Sequence, residues 1–171
     1  ELESGCAMRP EIGPMYGDQA VSETKLACQC VDRLAAGSSV MADSGFGIFF
    51  FAYHCKQKEH PFLLRLTDER WRALVKQAEL ENSGSGWDTY KLTWRPSRKE
   101  RDSHPELPAN AQLEVRLQEC RVHANLTLRQ VTDMAVAARQ LSKRYLHRGD
   151  VEGRRDRRHP RRGAPRGAPV V

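Results

Sequence analysis

The spacing of apolar residues changes along this chain, and each change marks a different kind of element. From Glu23 to Leu34, the positions Leu26, Cys30 and Leu34, with Val31 beside them, recur at helical spacing and predict an amphipathic helix. Ala36-Gly37-Ser38-Ser39 ends it. Val40-Met41-Ala42 reads as a short buried strand that stops at Asp43. Ser44-Gly45 then turns the chain into Phe46 to Tyr53, a stretch too apolar all round for a surface element. Between about Lys56 and Thr132 the pattern becomes strand-like, in the runs Phe62 to Leu66, Thr89 to Trp94, Leu113 to Leu117 and Leu126 to Val131. Several of these alternate apolar and polar residues, as strands of a one-sided sheet do. Asn82-Ser83-Gly84-Ser85-Gly86 reads as a flexible turn, and the charged, proline-containing stretch from Pro96 to Pro108 as a surface loop. Helical spacing returns after Asp133, a fair N-cap, with Met134, Ala137, Ala138, Leu141 and Tyr145, and carries to about Glu152. Pro160 and the Arg/Gly/Ala/Pro run around it exclude regular structure from the last residues.

Composition adds little to this α/β reading except in one place. The chain has 171 residues, 39% hydrophobic and 29% charged, which is ordinary for one globular domain with its own core. No apolar run approaches the roughly 18 to 20 residues that a membrane-spanning helix needs. Residues Glu1 to Pro14 lack the basic start and apolar run of an export signal. Five cysteines, odd in number and irregularly spaced, fit reduced thiols in a cytoplasm better than a disulfide framework. Cys28 and Cys30 flank Gln29, with His54, Cys55 and His60 further on, but no second paired motif completes a four-ligand zinc pattern. The exception is charge. Residues 153 to 171 hold seven arginines and one aspartate and so carry the whole net charge of +6. Such a tail can bind nucleic acid phosphates nonspecifically and says nothing about the folded part.

Two features could carry chemistry. Asp43 stands where an apolar strand meets a glycine turn, and Tyr145, Arg148 and Glu152 fall on one face of the last helix. A carboxylate at a strand end and another on a helix can converge on a divalent metal. Phosphodiester cleavage needs an activated oxygen nucleophile, a stabilised leaving oxygen and neutralised phosphate charge, which two magnesium ions roughly 3.5 to 4 Å apart supply together. Magnesium takes oxygen ligands, so aspartate and glutamate suit it. Tyrosine and arginine on the same face can contact the phosphate beside the cut. Each residue also has a plainer reading. An aspartate after a strand is commonly a turn former, and Glu152 has an exposed partner in Arg148 four residues before it.

At these residues the sequence resembles the DDE transposases of the insertion sequence 4 group. Val40-Met41-Ala42-Asp43-Ser44-Gly45-Phe46-Gly47 is similar to the strand that delivers the family's second catalytic aspartate. Tyr145, Arg148 and Glu152 match the first three members of its tyrosine, arginine, glutamate, lysine signature. Gly17 to Glu23 resembles the segment opening the helix before the catalytic strand. Lys58 to Thr67 and Trp94-Arg95-Pro96-Ser97 sit where the family inserts a mostly β subdomain, so the resemblance covers about residues 12 to 152. It implies an incomplete ribonuclease H-like fold: core to residue 57, β-rich insertion over 58–132, catalytic helix over 133–152, and a disordered tail over 153–171. It also implies metal-dependent cleavage and transfer of DNA strands, with Asp43 and Glu152 holding two Mg²⁺ or Mn²⁺ ions and Tyr145 and Arg148 on the phosphate. The implied partners are transposon ends, target DNA and further transposase copies, in a bacterial cytoplasm with the nucleoid.

The chain departs from the family in two ways. The family's first catalytic aspartate lies on a strand well before this helix, and neither Asp18 nor Asp32 fits it; with Glu1 in first place, we expect a C-terminal fragment, inactive alone. The signature's lysine belongs at position 159, which is His159, and the tryptophan expected at position 149 is Gly149. We expect a reading-frame shift just after Glu152 to account for both and for the abrupt change in composition; a genuine basic tail is the alternative. A reading from a different class stays open here, that of a noncatalytic remnant which binds DNA or pairs with an intact transposase.

Overall fold

Ser22, Thr67 and Ser97 each open a helix in the same way. Their side-chain oxygens accept from the backbone N–H three residues on, at Lys25, Arg70 and Glu100. This meets one of the amide groups that a helix start leaves without a partner. The computed structural model describes residues 9–123 and 126–134. The helices so capped are α1 (Glu23–Val31), α3 (Asp68–Val75) and α4 (Arg98–Ser103). Between α1 and α3 lies α2 (Phe49–Gln57), whose N-cap Ile48 makes no side-chain cap. Glu100 substitutes for it from α4: one carboxylate oxygen accepts from Phe49 N at 2.8 Å, and the other closes a capping box on Ser97.

The strands are β1 (Val40–Ala42), β2 (Phe62–Arg65), β3 (Glu79–Gly84), β4 (Trp87–Trp94), β5 (Leu113–His123) and β6 (Leu126–Asp133). They form one sheet in the order β1-β2-β6-β5-β4-β3. β1 and β2 are parallel and joined through α2, while β3 to β6 make an antiparallel meander that returns to β2. The architecture is therefore mixed α/β with a mixed sheet. The expected boundary between residues 57 and 58 falls between α2 and β2, and the sheet runs across it.

Alternation along the strands gives the sheet two unlike faces. On one, Phe62, Leu64, Tyr90, Leu92, Trp94, Leu113, Val115, Leu117 and Val131 belong to or pack on a single apolar cluster. Phe49 of α2 reaches Trp94 edge-on at 5.5 Å between ring centroids, and Trp71 of α3 reaches Tyr90 at 5.9 Å. Cys28 and Val31 of α1 and Leu107 after α4 join the same cluster, so the described helices lie on this side.

The apolar stretch from Phe46 is largely buried, as its composition predicts; it closes a 3-10 turn (Ser44–Phe46) and then forms α2, with Phe49 and Phe51 in the core. Several expectations change in the structure. Asn82-Ser83-Gly84 belongs to β3, and the turn shrinks to Ser85-Gly86, with Gly86 at φ +84°. Residues 96 to 108 are not loop throughout, since α4 forms inside them. Asp133 ends β6, buried, with its carboxylate 2.9 Å from Lys56 Nζ. The helix expected beyond it lies outside the described residues, as do Tyr145, Arg148, Glu152 and the tail.

Candidate active site

Asp43 follows the last residue of β1 directly. It caps the 3-10 turn: its Oδ1 accepts from Ser44 N at 2.6 Å, and its carbonyl accepts from Phe46 N at 3.0 Å. The side chain is 64% exposed, so a carboxylate at the carboxyl end of a strand faces solvent. The structure shows Asp43 as a turn former held in place with an accessible charge. β2 runs parallel to β1, so Arg65 at its end lies beside the same edge. The Arg65 Nη1 stands 3.8 Å from Asp43 Oδ1, an ion pair too long for a hydrogen bond. Arg70, on α3, donates from Nη1 to the Ser44 carbonyl at 2.6 Å and pins the turn from the other side.

Gly47 lies where the turn passes close against β2. A Cβ placed there would come within 2.0 Å of the Arg65 carbonyl oxygen, so the chain after Asp43 passes against the end of β2 at a distance only glycine allows. Asp43 and Arg65 are thus held on two segments that touch through backbone.

Arg65 also opens a polar row on the face of the sheet without described helices. Register pairs Arg65 with Gln130, Gln130 with Gln118, and Gln118 with Thr89, across β2, β6, β5 and β4. Gln130, Gln118 and Thr89 are buried, at 3% exposure or less. Alternation alone turns these glutamines toward water; only the sheet order and burial bring them into a row that ends next to Asp43.

The residues weighed for zinc go elsewhere. Cys28 and Cys55 sit in the apolar cluster, where burial pushes their thiols up to about 11 and about 12. His60 is buried and pairs with the Ser38 carbonyl at 3.2 Å. His54 meets Asp32 at 3.0 Å, and Lys58 meets the same oxygen at 2.9 Å, a charged clamp between α1 and α2 that the sequence reading missed. Among the described residues no three His, Cys, Asp or Glu side chains gather as a metal site. A small pocket lined by Phe50, Tyr53, His54, Gln57, Glu106 and Leu107 contains none of the expected site residues. Compared with known proteins, the chain matches no family model and no curated sequence.

Proposed function

We propose that the chain is the C-terminal part of a DDE transposase of the insertion sequence 4 group, with an incomplete ribonuclease H-like fold. The observation carrying this reading is the placement of Asp43: an exposed carboxylate at the carboxyl end of β1, next to the parallel β2, with a meander separating it from the Tyr145, Arg148, Glu152 segment. Carboxyl ends of parallel strands are where α/β folds gather reactive groups.

Asp43 and Glu152 would hold Mg²⁺ or Mn²⁺, ions that, bound as a pair, activate the attacking oxygen and offset phosphate charge. Asp43 fits one ligand of such a set. It supplies hard oxygen, it is accessible, and its Oδ2 has no hydrogen bond among the described residues. A complete set needs carboxylates from outside these residues. Tyr145 and Arg148 would orient the phosphate of a transposon end or target. With one carboxylate of three missing, the chain alone is expected to bind metal weakly and not to cut DNA, since transfer depends on geometry fixed in advance.

Adding Mn²⁺ to the full chain tests the central claim. Paramagnetic broadening of the Ser44 and Gly45 amide signals, abolished by Asp43→Asn, is the expected result; asparagine keeps the cap, so the turn survives. Broadening that is absent there, or unchanged in the variant, would remove Asp43 from any metal site. The DNA on either side of the reading frame gives a second check. An upstream strand carrying aspartate and a downstream frame restoring the lysine support a split transposase, and a lack of both leaves only a remnant.

A further inference from the structure

We propose that Arg65 is a phosphate ligand, taking a nonbridging oxygen of a nucleic acid backbone on the fork of its guanidinium beside Asp43. The identity of the anion rests on the transposase reading; the anion site rests on the geometry alone.

The guanidinium of Arg65 makes no hydrogen bond among the described residues, whereas Arg70, Arg129 and Arg116 do. Arg70 donates to the Ser44 carbonyl, Arg129 binds Asp68 at 2.6 Å and Glu119 at 2.8 Å, and Arg116 binds Glu81 at 2.8 Å and the Met134 carbonyl at 3.2 Å. Arg65 has the Asp43 pair at 3.8 Å, and its Nε is buried with no acceptor among the described residues. The two Nη groups at the open tip of the guanidinium are the donors that can take phosphate oxygens.

Position and rigidity agree with that use. The side chain is 38% exposed, so the tip is open although Nε is not. Its backbone is fixed: Leu63 and Leu64 before it are fully buried, and its carbonyl packs against Gly47. An anion bound on this fork would lie next to the carboxylate that the proposed reaction uses. Asp43 itself repels it, and that repulsion falls when a cation sits on Asp43, so phosphate and divalent metal should favour each other.

The test is the arginine side-chain nitrogen spectrum of the full chain, with the Arg65 Nε–H signal identified by its loss in Arg65→Lys. Short oligothymidylate is added, and separately inorganic phosphate, each with and without diamagnetic Mg²⁺, the Mn²⁺ broadening being recorded on a separate sample. A saturable shift of the Arg65 signal with oligothymidylate is expected. The Ser44 and Gly45 amides should report an affinity about tenfold or more weaker in Arg65→Gln, the size of one charge-assisted hydrogen bond, and partly recovered in Arg65→Lys. An Arg65 signal that stays still while the arginines of residues 154–166 shift would overturn the proposal. A response to inorganic phosphate alone would reduce it to a small-anion site and overturn the nucleic acid assignment. The two claims separate cleanly: Mn²⁺ broadening at Ser44 with a silent Arg65 sinks the phosphate ligand alone, and an Arg65 shift without broadening keeps the ligand and sinks the metal reading.

Discussion

The two faces of the sheet are built for different tasks. Phe49, Trp94 and Trp71 lock helices onto one face through apolar contact, whereas the other carries Arg65, Gln130, Gln118 and Thr89 in a row leading to Asp43. Packing on the first is nondirectional and strong, roughly 1.5 to 3 kcal/mol for each large side chain buried. On the second, each polar group needs a partner in the right place, so sequence choice is narrower and the gain in stability smaller. Among the described residues the large apolar cluster lies on one face and the polar row on the other, with Leu63 and Leu128 buried beside that row, and the backbone contact of Gly47 with β2 ties the Asp43 turn to the sheet.

Removing the anchor of the apolar face should have the largest effect. Phe49 is fully buried, stacked on Tyr53 at 5.6 Å and edge-on to Trp94, and its N–H is capped by Glu100. Phe49→Ala is expected to destabilise the chain by about 3 to 5 kcal/mol, read from the urea unfolding midpoint. A loss under about 1 kcal/mol would mean that α2 does not hold the sheet, and the contrast between the faces would fail.

The joint between the faces comes next. Gly47→Ala sets a Cβ against the Arg65 carbonyl, backbone against backbone, where no flexible side chain can yield. We expect a loss of about 2 to 3 kcal/mol together with shifted Ser44 and Gly45 amide signals, because the turn bearing Asp43 must move. Stability lost without any change at those amides would show that the turn is not tied to β2, and Asp43 and Arg65 would no longer count as one unit.

Much of the apolar face was legible in the sequence, and little of the polar one. β4, β5 and β6 alternate, and β1 and β2 are apolar runs, so their existence followed from side-chain period. β3 did not follow: Leu80 is its one large apolar residue and is itself exposed, so pairing with β4 makes this a strand. α4 was legible but overlooked, since Ser97-x-x-Glu100 is a capping box in plain sequence. Thr67 followed by Asp68 and Glu69 gave a similar signal for α3. Asp43 was found because strand, aspartate and glycine are adjacent in the chain. Arg65 was not, because its link to Asp43 depends on parallel pairing of strands 22 residues apart, and no local pattern reports that.

The smallest expected effect lies outside both faces, in the clamp of Asp32 with Lys58 and His54. Lys58 does most to hold the Asp32 carboxyl below its ordinary range, with His54 adding to it. The clamp is largely exposed, so Asp32→Asn should cost less than about 1 kcal/mol at neutral pH. A carboxyl depressed by folding contributes stability that is present above its unfolded value, near 3.9, and lost as pH falls through the lower folded value. The gap between the native chain and Asp32→Asn, present at about pH 5, should therefore close below about pH 4. Urea midpoints taken across that range measure it. A gap that persists at the acid end would mean that Asp32 acts through its place at the end of α1, not through charge, and the attachment of α1 would then belong to the apolar face alone.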